Sequence, residues 1–264
     1  MPRAKRRLAQ HFLTDPHILG RIADALAPSP GDTVLEIGPG PGGLTSALLG
    51  RAGRLVAIEK DAELIPGLRA RFPAAEIVEG DALDLDWHPL AGPGFLVAGN
   101  IPYNITSPLI DKALEPPRPA RIVFLVQREV ADRISAPPGG GEYGALTVGV
   151  RVVARAERLF VVPAGAFHPR PKVDSALLRL TPLAAPLVSD ADRGRFRRLV
   201  VGLFGFRRKQ LQRGLRELTG WSPEWARSAL ERAGLDPMAR PETVPPEGYV
   251  RLLAALVDAG WDER

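Results

Sequence analysis

Short apolar runs alternate with longer amphipathic segments through the first half of the chain. The runs cover residues 33–37, 54–58, 75–78, 95–98 and 121–126, and each is followed by a helix-compatible segment. Apolar runs of this length are typical of buried strands. Helical connections between strands imply a parallel sheet covered by helices. A further helix is predicted before the first strand, at residues 16–27, with Thr14 or Asp15 as its N-cap.

Two later strand-like runs, at residues 157–162 and 176–180, lack a helix of crossover length between them and are expected to pair antiparallel. Together the runs predict an α/β fold with a Rossmann-like, seven-stranded sheet whose last strand is antiparallel. After residue 183 the pattern becomes helical, with breaks at Gly220, Gly234 and Pro245 that predict four helices. We therefore expect a first domain at 1–183, beginning with a basic arm at 1–13, and a small all-α domain at 184–264.

Composition excludes several classes of site and protein. The chain has no cysteine and only four histidines, so thiolate chemistry is excluded and a metal site is not expected. No apolar run approaches the ~18 residues of a membrane helix, so no membrane association is expected. These features indicate a cytoplasmic protein.

Positive charge is concentrated in two stretches. The net charge is only +5, but residues 1–13 carry four cations and residues 193–216 carry nine, and neither stretch contains an acid. Such segregation is expected where a protein meets a polyanion such as RNA. A solvated helix face would give the same pattern.

A glycine-rich turn follows the first predicted strand. Gly38, Gly40 and Gly43 have the G-x-G-x-x-G spacing, which lets a ligand approach backbone amides closely. Glu59 ends the next strand, where a carboxylate is suited to accept the hydroxyls of a ribose. Asp81 follows the third strand and is suited either to an adenine amino group or to capping a helix. These residues predict a nucleoside-containing cofactor, and taken alone they leave NAD open.

The fourth strand ends in the tetrad Asn100-Ile101-Pro102-Tyr103. An amide oxygen, a stiff turn and an aromatic face in consecutive positions are suited to holding a planar heteroaromatic amine. When the amide oxygen and a neighbouring carbonyl accept hydrogen bonds from the N–H groups of such an amine, they favour a more tetrahedral, more nucleophilic nitrogen. The tetrad therefore predicts modification of a nucleobase amine and argues against NAD.

The glycine turn, Glu59, Asp81 and the tetrad, in this order on successive strands, resemble the S-adenosylmethionine-dependent N6-adenine methyltransferases. The resemblance is most specific to the ribosomal RNA adenine dimethyltransferases. Three further segments carry it: Gln10-His11-Phe12-Leu13, residues 126–131 (VQREVA) and residues 167–175 (FHPRPKVDS). His11 stands where the family usually has Asn.

The resemblance implies S-adenosylmethionine as methyl donor, with S-adenosylhomocysteine as product. It assigns the cofactor to His11, Leu13, Gly38, Gly40, Glu59, Asp81 and Asn100. It assigns the reacting base to the tetrad Asn100, Ile101, Pro102 and Tyr103, with Phe167 expected to clamp the base against Tyr103. Phe167 in the core is the alternative.

Two groups of the family fit: enzymes that dimethylate two adjacent adenosines in a hairpin loop of 16S rRNA, and enzymes that dimethylate 23S rRNA and confer macrolide resistance. Residues 143–144, 204–209, 234–237 and 240–242 favour the first group, whereas Ile101, which both groups have, is more typical of the second. A non-catalytic ribosome-assembly factor on the same fold remains a third possibility. We expect a monomer that acts on 16S rRNA in the immature small subunit. The expected RNA contacts are Arg6, Arg7, Lys172, Arg207, Arg208 and Lys209.

Overall fold

The computed structural model describes residues 10–261. Its nine strands are β1 (Phe12–Leu13), β2 (Thr33–Ile37), β3 (Arg54–Glu59), β4 (Glu76–Glu79), β5 (Leu96–Asn100), β6 (Arg121–Gln127), β7 (Ala154–Val162), β8 (Phe167–His168) and β9 (Ser175–Pro182). The helices are α1 (Pro16–Leu26), α2 (Gly43–Leu48), α3 (Ile65–Arg71), α4 (Trp87–Ala91), α5 (Thr106–Ala113), α6 (Arg128–Ser135), α7 (Ala145–Arg151), α8 (Arg193–Gly205), α9 (Leu211–Thr219), α10 (Pro223–Arg232) and α11 (Pro246–Asp258).

Seven strands form one mixed sheet in the order β4-β3-β2-β5-β6-β9-β7. Strands β2 to β6 are parallel, and β9, the last strand in the chain, runs antiparallel to β6. The predicted α/β fold is therefore confirmed. Because β2 has β3 on one side and β5 on the other, the strand order reverses at β2, and open sheets bind ligands beside such a point.

Helix α1 shows how the sequence builds the core against this sheet. The Asp15 carboxylate caps the helix by accepting hydrogen bonds from the amides of His17 and Ile18. Its buried residues recur at helical spacing, and they pack in one apolar cluster with residues from β2, β5 and β6. The predicted helix at 16–27 is thus present as a core element.

The antiparallel pair of β1 and β8 is absent from the predicted elements. Phe12 pairs with His168 and Leu13 with Phe167, which ties β1 to the segment before β9. Pairs this short have no periodicity from which to predict them.

The chain divides into two compact units. Of the described residues, the first unit comprises those up to Ala131 together with Ala156–Pro182, and the second comprises Asp132–Arg155 together with those from Leu183 onward. The second unit is mainly helical. It also includes residues 132–155, which lie outside the predicted range of 184–264. Its interior contains Tyr143 and Tyr249, whose hydroxyls donate to the carbonyls of Val244 and Pro241. No helix within residues 10–261 has the length and apolarity needed to cross a membrane.

Candidate active site

The carboxyl ends of four parallel strands, β2 to β5, open onto one cleft in the first unit. The cleft encloses about 940 Å³ of space, including its mouth. Ends of parallel strands meet at the same edge of a sheet, which is why residues far apart in the sequence converge here. The cleft brings together most of the predicted site residues: His11, Gly38, Gly40, Glu59, Asp81, Asn100, Ile101, Pro102 and Tyr103.

The glycine turn and Glu59 form one hydrogen-bonded wall of the cleft. Gly38 and Gly40 have φ values of 68° and 56°, a backbone region that favours glycine. The Gly40 amide donates to Glu59 Oε2 at 2.9 Å, and the Asp61 amide donates to Oε1 at 2.8 Å. Burial raises the pKa of Glu59, and these amides oppose the rise. Each oxygen keeps a second lone pair, so the carboxylate can still accept a ligand hydroxyl.

A second buried carboxyl, Glu36, lies in β2 two residues before Gly38. It is 1% exposed, and in the part of the chain that the structure describes its oxygens meet only weak polar interactions, from the hydroxyl and amide of Thr45. Burial is the main cause that raises the pKa of Glu36 to about 8; Thr45 opposes the rise and the Glu59 carboxylate adds to it. Glu36 is therefore mostly protonated at neutral pH, a property that its position at the end of a strand did not predict.

Asp81 follows β4 and is paired with Lys60. Its Oδ1 accepts a hydrogen bond from the Leu83 amide at 3.0 Å, and its Oδ2 accepts one from the Lys60 ammonium. Burial acts to raise the pKa of Asp81, but Lys60 and the Leu83 amide together hold it below its ordinary value. Asp81 therefore stays ionised, and Lys60, which also lines the cleft, is a site residue that the sequence analysis missed.

The orientation of Asn100 is set by the N-terminal segment. Asn100 Nδ2 donates to the His11 carbonyl at 2.8 Å, which leaves the side-chain oxygen as an acceptor for another donor. The Ile101 amide donates to the Leu125 carbonyl at 3.0 Å, which anchors the following peptide to β6. The tetrad thus begins with an amide oxygen held on a rigid backbone.

Tyr103 is half-buried and stacks on an unexpected partner. The centroids of its ring and of the His11 imidazole are 5.6 Å apart, and the two ring planes make an angle of 28°. The Tyr103 hydroxyl is 2.8 Å from Ser175 Oγ, and burial raises the pKa of that hydroxyl. His11 Nδ1 donates to the Pro169 carbonyl at 2.8 Å, so the imidazole is held in place. His11 therefore reaches the aromatic face of the tetrad as well as its Asn100.

Two predicted site residues, Phe167 and Leu13, lie elsewhere. Phe167 is 5% exposed and belongs with Leu13 to the apolar core, and neither side chain lines the cleft. Burying an aromatic ring in that core is favourable in itself, which explains the placement. The expected clamp of Phe167 against Tyr103 is not formed in this structure, and Phe12 lines the cleft where Leu13 was expected.

Some of the residues predicted to contact RNA already bind other groups of the protein, and others are exposed. Lys172 is exposed on the loop between β8 and β9. In the second unit Arg207 donates to the Gly141 carbonyl, Lys209 pairs with Glu217 and Arg208 is exposed. Arg6 and Arg7 lie outside the described residues. Between residues 10 and 261 no group of three potential metal ligands comes together.

Comparison with known proteins places this geometry in a family. The model of the family described as ribosomal RNA adenine dimethylase matches residues 1–256. A relative from Geobacter metallireducens, named ribosomal RNA small subunit methyltransferase A, is 42% identical over 267 residues, covering 98% of this chain and 97% of its own.

Two solved structures resemble this one along nearly their whole length. A dimethyladenosine transferase from Plasmodium falciparum has a TM-score of 0.83 at 27% identity, covering 95% of this chain and 98% of that one. The 23S rRNA methyltransferase ErmE has a TM-score of 0.74 at 32% identity, covering 93% and 99%. With a cleft that gathers the glycine turn, Glu59, Asp81 and the Asn100–Tyr103 tetrad, this chain belongs to the ribosomal RNA adenine dimethylase family.

Proposed function

We propose that this protein dimethylates the N6 atoms of two adjacent adenosines in a hairpin loop near the 3′ end of 16S rRNA, using S-adenosylmethionine during ribosome biogenesis. The observation that carries the proposal is the 42% identity, over nearly the whole of both chains, to a relative named as a small subunit methyltransferase. The cleft supplies an amide oxygen and an aromatic face, which are the groups that an adenine amine needs.

The residues of the cleft fit S-adenosylmethionine. Space beside Gly38 is open where any other residue would place a Cβ, so a ligand can approach the backbone there. The Glu59 carboxylate is suited to the ribose hydroxyls, and the ionised Asp81 is suited to the adenine amino group. Backbone groups around His11 and Asn100 would hold the amino-acid end. When bound, the cofactor supplies a methyl carbon that its sulfonium already activates toward a nucleophile.

Asn100 and Ile101 would act on the nucleophile. The Asn100 side-chain oxygen and the Ile101 carbonyl accept the N–H bonds of the adenine amine, which draws its nitrogen toward a tetrahedral geometry and localises the lone pair. Because the donor is already activated, alignment is the main work of the protein, and good alignment is worth roughly 7–11 kcal/mol. The proton leaves to water after transfer.

Tyr103 would hold the base, and the cation-rich segments would hold the RNA. Stacking on an aromatic ring is worth ~1–3 kcal/mol per base and helps to retain a base that has left its helix. The second unit, residues 1–13 and Lys172 are proposed to contact the phosphates of immature small subunits. The protein would work as a monomer in the cytoplasm.

The main competing function is dimethylation of 23S rRNA, which the similarity to ErmE favours. The two are separated by incubating the protein and labelled S-adenosylmethionine with immature small and large ribosomal subunits in parallel. We expect label in the small subunit alone, and label in the large subunit alone would refute the proposal. An inactive protein that still binds small subunits would indicate an assembly factor instead.

A further inference from the structure

An open groove lies on the second unit, along helix α9, with about 1050 Å³ of space including the part that is open to solvent. Its wall is formed by residues of the helix, its N-cap and the turn that follows it: Gln210, Gln212, Arg213, Arg216, Glu217, Gly220 and Trp221. None of these residues was among the predicted RNA contacts. The groove combines cations, amides and an aromatic ring, which are the groups that bind nucleotides.

The cations of the groove are available to a ligand. Arg213 and Arg216 are three residues apart on α9 and therefore lie on one side of the helix. Both are exposed, and across residues 10–261 neither guanidinium forms a hydrogen bond or a contact ion pair, although both interact electrostatically with Glu217 and Arg216 also with Glu224. Glu217 also lines the groove, but its carboxylate is paired with Lys209 at 2.9 Å. Lys209 lowers the pKa of Glu217 and keeps it ionised.

The aromatic wall is held in position. Trp221 follows the left-handed cap Gly220, and its amide donates to Thr219 Oγ1 at 3.2 Å. Its ring packs at 61° against Trp225, with 6.2 Å between centroids. Gln212 Nε2 donates to the Pro223 carbonyl at 2.9 Å, which leaves its side-chain oxygen as an acceptor. A partly exposed indole on a rigid turn is a stacking surface that needs little ordering when a base binds.

We infer that this groove binds one unpaired nucleotide of the RNA, with its base stacked on Trp221 and its phosphate held by Arg213 and Arg216. Guanidinium groups match phosphate oxygens with paired hydrogen bonds. An acidic peptide would satisfy the arginines but would leave the indole face without a partner, so the combination favours a nucleotide. The inference rests on the proposed function for its RNA and adds a contact remote in sequence from the Asn100–Tyr103 tetrad.

The test measures binding of a fluorescein-labelled single-stranded hexa-adenylate and of a duplex RNA with the same number of phosphates per strand, using the full chain without cofactor. Arg213→Gln and Arg216→Gln are compared with Arg227→Gln, which removes one exposed cation from α10. Each groove variant is expected to reduce the dependence of log Kd on log salt by about 0.7 for the single strand. Arg227→Gln is expected to leave that slope unchanged.

Trp221→Ala is expected to weaken binding of the hexa-adenylate by roughly 5- to 150-fold while leaving duplex binding within about twofold. Trp221→Phe keeps a stacking face and is expected to retain most of the affinity, which separates stacking from loss of fold. Groove variants that bind like Arg227→Gln would overturn the inference. Equal losses of affinity for the single strand and the duplex in Trp221→Ala would also overturn it. So would displacement of the bound RNA by hexaglutamate at equal concentration. A wild-type protein that methylates no rRNA would refute the proposed function but leave this comparison interpretable.

Discussion

Glu36 makes the stability of this protein depend on pH in a way that one substitution should remove. Its carboxyl is 1% exposed and, among residues 10–261, meets only weak polar interactions from Thr45. Burial raises its pKa from an ordinary 4.5 to about 8. The substitution Glu36→Gln keeps the size of the side chain and removes its titration.

The magnitude follows from linkage between protonation and folding. The native state holds the Glu36 proton more tightly than the unfolded chain, so this stability is fully present below pH 4.5 and is lost as the pH rises through about 8. At about 1.4 kcal/mol per pKa unit, the shift corresponds to roughly 5 kcal/mol. About 4 kcal/mol of this is lost between roughly pH 5 and pH 9.

The assay is urea unfolding followed by circular dichroism at intervals from about pH 5 to 9, without cofactor. The free energy of unfolding of Glu36→Gln should rise relative to wild type by about 4 kcal/mol across this range. Comparing changes with pH cancels any constant cost of burying an amide. Glu115→Gln, at an exposed position, controls for the loss of one negative charge. Parallel curves for wild type and Glu36→Gln would refute the reasoning.

Three further substitutions test the cleft and its surroundings. Asn100→Ala should lower kcat by at least about 100-fold while the affinity for the cofactor stays within about threefold of wild type. The control Asn104→Ala, on the exposed rim of the same cleft, should leave kcat near the wild-type value. Equal activity of the two variants would contradict the role of the amide oxygen. Tyr103→Ala should raise KM for RNA by roughly 5- to 150-fold, whereas Tyr103→Phe, which loses only the hydrogen bond to Ser175, should change KM by less than about fivefold. Phe167→Ala should lower the unfolding free energy by about 3–5 kcal/mol, and unchanged stability with a raised KM would show that Phe167 clamps the base.

The sequence predicted the sheet well because each of its strands carries a local signal. The runs at 33–37 and 54–58 coincide with β2 and β3 to within a residue, since buried parallel strands are continuous in their apolar pattern. Convergence of Glu59, Asp81 and Asn100 on one cleft followed from the parallel topology alone. These parts of the site depend on the order of the strands and on little else.

The remaining parts of the site depend on contacts between residues far apart in the chain. Phe167 enters the core because β8 pairs with β1 across more than 150 residues, and no local pattern reports such a pair. The stacking of His11 on Tyr103 and the pairing of Lys60 with Asp81 likewise arise only in the folded chain. The sequence indicated which chemical groups are present, whereas their mutual orientation required the structure.

The most direct test of the proposed function is nucleoside mapping of 16S rRNA by mass spectrometry. Immature small subunits lacking the modification are incubated with S-adenosylmethionine and either wild type or Asn100→Ala. We predict N6,N6-dimethyladenosine at two adjacent positions of one hairpin loop near the 3′ end with wild type, and unmodified adenosine at both with the variant. Methylation at another atom or in another RNA, or full dimethylation by Asn100→Ala, would contradict the proposal.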